Sequence, residues 1–193
     1  MSEGELNDLK HYLLSSNTYR DIGILLCLNT GMRIGEICAL KWKNVDLIKR
    51  EIYVRNTLLR IYNVKEKKSD IVMHSPKTKC SIRNIPISDK LFEWIIKMDY
   101  EYNGEAYFLT GEENRFVEPR NYERYFKKVL KEVGINNNYN FHVTRHTFAT
   151  KCIEIGMDIK TLSEILGHSN VEITLNRYVH SSFNLKKKYL DKL

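Results

Sequence analysis

The chain has 193 residues, 42% of them apolar and 28% charged, and a formal net charge of +7. These values fit one globular domain and exclude a membrane-spanning protein of helical type, because the longest apolar window, "IGILLCL", falls far short of the roughly 20 residues a spanning helix needs. "MSEGELNDLK" lacks the basic and apolar regions of a secretory signal, and the basic balance favours a polyanionic partner.

Ser2 and Glu5 stand in capping-box spacing, with Leu6, Leu9 and Leu13 following at helical intervals, which predicts a first helix. A second helix is expected from about Thr18 to Leu28, stopped at "NTGMR" by Gly31 in a left-handed conformation. A third covers roughly Ile34 to Lys41. "EIYVRNTLLRIYNV" alternates and is rich in β-branched and aromatic residues, as strands are. "KEKKSD" is a polar turn, and "DIVMHSP" and "SIRNIPI" are short strands with Pro76 and Pro86 at strand ends or on an edge. Between Arg50 and Arg83 lie nine Lys or Arg residues and three acids, so the positive charge sits on this β region.

From Ser88 onward the pattern is mostly helical, with helices expected at about 88–100, 118–133, 141–156, 159–166 and 171–178. An amphipathic segment, "FNLKKKYLDKL", closes the chain. The fold class is therefore α+β: a mostly helical body with a small antiparallel sheet or hairpin inserted. The four cysteines, Cys27, Cys38, Cys80 and Cys152, show no CxxC pair. They are expected as reduced thiols filling small core positions in a cytoplasmic protein.

Four stretches carry chemistry of one kind. "TGMRIGE" places Arg33 after a glycine turn at the start of a helix, where backbone N–H groups favour an anion and a guanidinium can hold two phosphate oxygens. "SPKTKCSIRNIPI" offers Lys77 and Lys79 on a strand–turn–strand. "HVTRHTFAT" puts His142 and Arg145 beside an apolar stripe of Phe141, Phe148, Cys152 and Ile155. At about 100° per residue Arg145 lies on the edge of that stripe, a permanent cation at the margin of a core. "LGHSNVEITLNRY" gives His168 at a helix boundary and Tyr178 ten residues later. His142 and His146 at i, i+4 could be a metal pair, but the HExxH glutamate is missing and no third ligand cluster is evident, so no metal or other cofactor is expected. His146 reads as structural.

TGMRIGE, PKTK, HVTRHTFAT and LGHSNVEITLNRYVH in this order resemble the tyrosine recombinases, the phage-integrase family. The similarity runs from the first helix to Tyr178 and is nearest to integrases of conjugative transposons and phages. The resemblance implies the DNA breaking–rejoining fold and a site-specific recombinase that acts on double-stranded DNA without metal or ATP, integrating or excising a mobile element. In that reaction a tyrosine forms a 3′-phosphotyrosyl link and frees a 5′-hydroxyl. Carried over motif by motif, Tyr178 is the nucleophile, Arg33 and Arg145 clamp the non-bridging oxygens, and Lys77, rather than Lys79, protonates the departing oxygen. His142 acts in proton transfer and His168 donates to the phosphate, with Glu36 supporting the arginines and Lys79 and Arg83 touching DNA.

The sequence departs from the family pattern in places. Thr144 stands where an apolar residue is frequent, and the segment from Arg55 to Lys77 is long. The resemblance implies a catalytic domain over residues 1–178, a tail at 179–193 that docks on a neighbouring protomer or folds back, and no N-terminal core-binding domain. The whole protein is expected to work as a homotetramer on DNA, with no membrane partner. A catalytically silent DNA-binding protein of the same fold, or type IB topoisomerase chemistry, are the alternatives; the filled catalytic positions and the LGH segment argue for the recombinase.

Overall fold

The computed structural model describes residues 1–16, 18–63, 68–75, 79–98, 103–136, 138–178 and 190–191. In chain order the elements are α1 (Glu3–Ser16), α2 (Tyr19–Thr30), α3 (Ile34–Ala39), β1 (Val45–Asp46), β2 (Glu51–Val54), β3 (Thr57–Asn63), β4 (Lys68–His74), β5 (Arg83–Pro86), α4 (Asp89–Ile96), α5 (Pro119–Glu132), α6 (His142–Glu154), α7 (Ile159–Leu166) and α8 (Val171–Tyr178).

The capping box forms as the spacing predicts: Ser2 N donates to Glu5 Oε2 at 2.7 Å and Glu5 N to Ser2 Oγ at 3.2 Å. α1 then buries Leu6, Leu9 and Leu13. α2 is apolar nearly all round, which only a buried helix can be, and it sits at the centre, packed on α1, α4 and α6. Gly23 permits a close crossing there, since a Cβ would lie 2.3 Å from Leu109 Cδ2. Gly31 ends α2 at φ 65°, its N–H bonded to Cys27 O at 2.9 Å.

The alternating stretch after Glu51 is not one strand. It divides at Arg55 and Asn56 into β2, which lies between β1 and β5 in a three-stranded antiparallel sheet, and β3, which pairs with β4 in a separate antiparallel ribbon. The single sheet expected from sequence is thus two, because alternation reports burial of one face and not which partner a strand takes. Pro86 ends the edge strand β5, as expected; Pro76 lies outside the described residues.

Residues 103–118, between the helices expected at about 88–100 and 118–133, run as irregular chain. Trp42 N donates to Ala106 O at 3.0 Å and Phe108 N to Leu40 O at 2.8 Å, which brings the Trp42 and Phe108 rings to 4.7 Å. α5 buries Tyr122, Phe126, Val129 and Leu130 at helical spacing, and Phe141 packs on Tyr122 and Phe126 at ring distances of 5.1 and 5.2 Å. Ala149 and Cys152 of α6 meet Leu162 and Leu166 of α7 in a second, smaller core. Ile155, assigned to the apolar stripe, is instead 79% exposed, because α6 ends at Glu154 and the chain turns there. Thr144 is buried, its hydroxyl satisfied by Phe141 O at 2.9 Å, which lets it occupy an apolar position. Cys27, Cys38 and Cys152 are buried, whereas Cys80 is exposed. The closing amphipathic segment lies outside the described residues apart from Leu190 and Asp191. Among the described residues no helix is long and apolar enough to cross a membrane.

Candidate active site

A helix end leaves its last carbonyl groups without intrahelical partners. At the end of α7 three successive carbonyls are each taken by a different arginine: Ile165 O by Arg83 Nε at 2.6 Å, Leu166 O by Arg145 Nη2 at 2.8 Å and Gly167 O by Arg33 Nη2 at 3.2 Å. The earlier carbonyls close the turn on backbone, Glu164 O receiving Gly167 N and Ser163 O receiving His168 N, both at 3.1 Å. This closure needs Gly167 at φ 66°. The negative pole of the helix thereby collects cations from α3, β5 and α6.

Glu36 organises two of the three. Its Oε1 accepts from Arg33 Nη1 at 2.8 Å and Arg83 Nη1 at 3.1 Å, and its Oε2 from Arg33 N at 2.8 Å and Arg83 Nη2 at 2.9 Å. Burial pushes this carboxyl up, but Arg83 and Arg33 outweigh it and hold the group below its ordinary value. Because Glu36 takes the Arg33 backbone N–H, and α3 has only six residues, the guanidinium and not the helix terminus is the group that can meet an anion. Arg33 keeps 37% of its side chain exposed, so it can meet a ligand while held from behind.

Arg83, expected to touch DNA, is enclosed in this geometry. Its side chain is 6% exposed and is spent on Glu36, Ile165 O and Ser81 O. A guanidinium so enclosed is part of the frame. Arg145, placed by helical spacing on the edge of the core, is fully inside it at 1% exposure. Its Nη1 donates to Gly31 O and its Nη2 to Leu166 O, each at 2.8 Å, and Nη2 also meets His168 Nε2 at 2.8 Å. The other ring nitrogen, Nδ1, lies 2.8 Å from Thr174 Oγ1 on α8.

The structure therefore brings Arg33, Glu36, Arg145 and His168 to one place, with Arg83 behind them. His142 stands exposed at the start of α6, its ring edge-on to His146 at 4.7 Å. Lys77 and the side chains of Lys79 and Tyr178 lie outside the described residues; the Tyr178 backbone ends α8. Sequence reading missed Thr174, although a lone hydroxyl between Ile173 and Leu175, six residues after His168, was a visible signal.

The phage integrase family matches residues 1–184 of the chain. The chain belongs to that family. This family member is 35% identical over 173 residues to a tyrosine recombinase XerC-like protein of Caldanaerobacter subterraneus subsp. tengcongensis, covering 81% of this chain and 44% of that one. It is 34% identical over 177 residues to tyrosine recombinase XerC of Chlamydia muridarum, covering 90% and 50%. Among solved structures, the Tn1549 transposon integrase in complex with transposon right end DNA matches with a TM-score of 0.77 at 25% identity, over 100% of this chain and 65% of that chain. The catalytic domain of bacteriophage HP1 integrase matches at 0.60 and 25% identity, over 99% and 92%. The α+β fold expected from sequence is thus the fold of these catalytic domains. The integrase family member spans about half the length of the curated relatives it matches.

Proposed function

We propose that this chain is the catalytic part of a site-specific DNA recombinase that cleaves and rejoins double-stranded DNA through a 3′-phosphotyrosyl intermediate. The observation that carries the reading is the pair Arg33 and Arg145, two guanidiniums anchored on consecutive carbonyls of one helix end beside His168. Attack on a phosphodiester builds negative charge on its non-bridging oxygens. Fixed cationic donors stabilise that charge more than they stabilise the ground state, and one such donor is commonly worth about 3–4 kcal/mol.

In this reading Tyr178 on α8 attacks the scissile phosphorus, the 5′-oxygen leaves with a proton from Lys77, and His142 takes part in proton transfer at the phenol. His168 donates to a phosphate oxygen. Phenol has a pKa near 10, so the cationic surroundings serve the nucleophile as well as the phosphate. The covalent link keeps the energy of the broken bond, so a second 5′-hydroxyl can reverse the step with no nucleotide or metal. Residues 1–178 form the catalytic domain, 179–193 a tail that docks on a neighbour, and the whole protein acts as a tetramer in the cytoplasm on the ends of a mobile element. The relation to a transposon integrase solved with transposon end DNA supports this assignment.

The test is to mix the chain with nicked duplexes spanning candidate element ends, in EDTA, and to resolve products on denaturing gels. A denaturation-resistant adduct that disappears in Tyr178→Phe is expected. An adduct that persists in Tyr178→Phe overturns the nucleophile assignment. Tight binding with no adduct, also in a version extended to the length of its curated relatives, would favour the silent DNA-binding protein.

A further inference from the structure

A guanidinium carries only donors, so the 2.8 Å contact between Arg145 Nη2 and His168 Nε2 requires a lone pair on Nε2. The imidazole is then neutral with its proton on Nδ1, and Nδ1–H donates to Thr174 Oγ1 at 2.8 Å. Thr174 is 0% exposed and belongs to α8, the helix that ends in Tyr178 one turn later. Among the described side chains of α8 it is the one that is buried; Ile173 and Leu175 are each 40% exposed. α8 packs on α7 and α6, and this hydrogen bond is a fixed point between it and the arginine cluster.

We infer that Thr174 is a positioning residue for strand cleavage: through His168 it ties α8, and with it Tyr178, to the Arg145 phosphate-binding group. The inference rests on the proposed recombinase reading for the roles of Arg145 and Tyr178. Its physical content is a chain of contacts from Gly31 O and Leu166 O through Arg145, His168 and Thr174 to the helix carrying the nucleophile. When a phosphate takes the place of the ring at Arg145, Nε2 must carry a proton to donate to it. A hydroxyl suits the other side of the ring, because it accepts from Nδ1–H in one tautomer and donates to bare Nδ1 in the other. The link to α8 therefore holds while the ring changes partner. A carboxylate or a methyl group in place of Oγ1 lacks that reversibility. A displacement of about 1 Å at a reacting centre can cost about 10²-fold in rate, so loosening α8 should appear in the chemical step and not in DNA affinity.

Two measurements on the full chain test this. The first is the tautomer of His168 in the DNA-free chain by long-range 1H–15N correlation, with the signal assigned from its loss in His168→Gln. Nδ1–H is expected in the wild type and in Thr174→Ser; a ring protonated on Nε2 overturns the inference whether or not any variant folds or cleaves. The second is single-turnover adduct formation on a nicked duplex. Thr174→Val is expected to slow it by about 10²-fold with DNA affinity nearly unchanged, and Thr174→Ser to recover most of the rate. Cleavage by a folded Thr174→Val at the wild-type rate overturns the inference, as does a Thr174→Ser as slow as the valine variant. If the wild type forms no adduct, or keeps it in Tyr178→Phe, the recombinase reading is what fails, and the tautomer still decides the His168–Thr174 link.

Discussion

Arg83 and Glu36 form a forked ion pair inside the protein, Nη1 on Oε1 at 3.1 Å and Nη2 on Oε2 at 2.9 Å, with side chains only 6% and 3% exposed. Arg83 opens β5, shortly after the 3-10 turn Lys79–Ser81, and Glu36 lies on α3 beside Arg33. The pair thus connects two of the sequence motifs, and the Nε bond to Ile165 O reaches the end of α7, just before a third.

Removing one partner of a buried pair leaves the other charge uncompensated, at a cost of about 3–5 kcal/mol. Arg83→Ala is expected to lower the urea midpoint accordingly. Because Arg83 is enclosed, the salt slope of DNA binding by the folded fraction should stay that of the wild type. A slope reduced by about one would return Arg83 to the DNA surface.

Glu36 gives the stability a pH dependence of known sign. Its carboxyl is held below its ordinary value of 4.5 in the folded chain. Its contribution is therefore fully present above that pH and is lost as pH falls through the depressed folded value. Urea unfolding followed from neutral pH downward should show this loss in the wild type. In Glu36→Gln the starting stability should be lower and the acid-dependent part from this site absent.

Gly31 serves two purposes. Its φ of 65° ends α2, and a Cβ there would fall 2.6 Å from Leu166 Cδ2 and 2.7 Å from Phe148 Cδ1. Its carbonyl also accepts from Arg145. Gly31→Ala should cost at least about 1 kcal/mol from the left-handed backbone alone. The clash should also shift Leu166, and with it the carbonyl that holds Arg145, so adduct formation should fall by more than the loss of folded protein explains. Thermal melting alongside the cleavage assay separates the two effects.

Arg145→Lys keeps the charge and loses the fork. An ammonium is a point donor and cannot reproduce the planar geometry that serves Gly31 O, Leu166 O and His168 at once. Cleavage should drop by at least about 10²-fold in a chain that still binds DNA. A variant within about 3-fold of the wild type, against that expected loss, would remove Arg145 from the proposed phosphate clamp.

The thiols offer a simple check on packing. Cys27, Cys38 and Cys152 are buried and burial raises each of their thiols, that of Cys152 to about 11, whereas Cys80 is exposed. An aromatic disulfide reagent should titrate one thiol quickly in the native chain and the other three on unfolding. Fast reaction of a second thiol would mean that one of the two cores is open.

Much of this was readable in the residues. Ser2 with Glu5, the apolar repeat of α1, the Gly31 stop and the boundaries of α7 and α8 are local matters, since caps, helical periods and left-handed turns depend on neighbours a few positions apart. The four motifs likewise named Arg33, Glu36, Arg145 and His168 as a group. What sequence could not give was depth and partnership. Helical spacing put Arg145 at the edge of a core, and β alternation made one sheet where there are two.

Those decisions belong to tertiary structure because they depend on contacts between residues far apart in the chain. Arg83 looks like any surface cation in a basic β region until Glu36, 47 positions earlier, and Ile165, 82 positions later, are folded onto it. A buried guanidinium is tolerable only where acceptors surround it, and the acceptors here include the last carbonyls of α7, which no side-chain pattern reveals. The sequence by itself determined the family, through the types and order of its cationic, histidine and tyrosine residues. Only the packing of α3, β5 and α6 around one helix end decided which arginines are enclosed and which stay partly exposed.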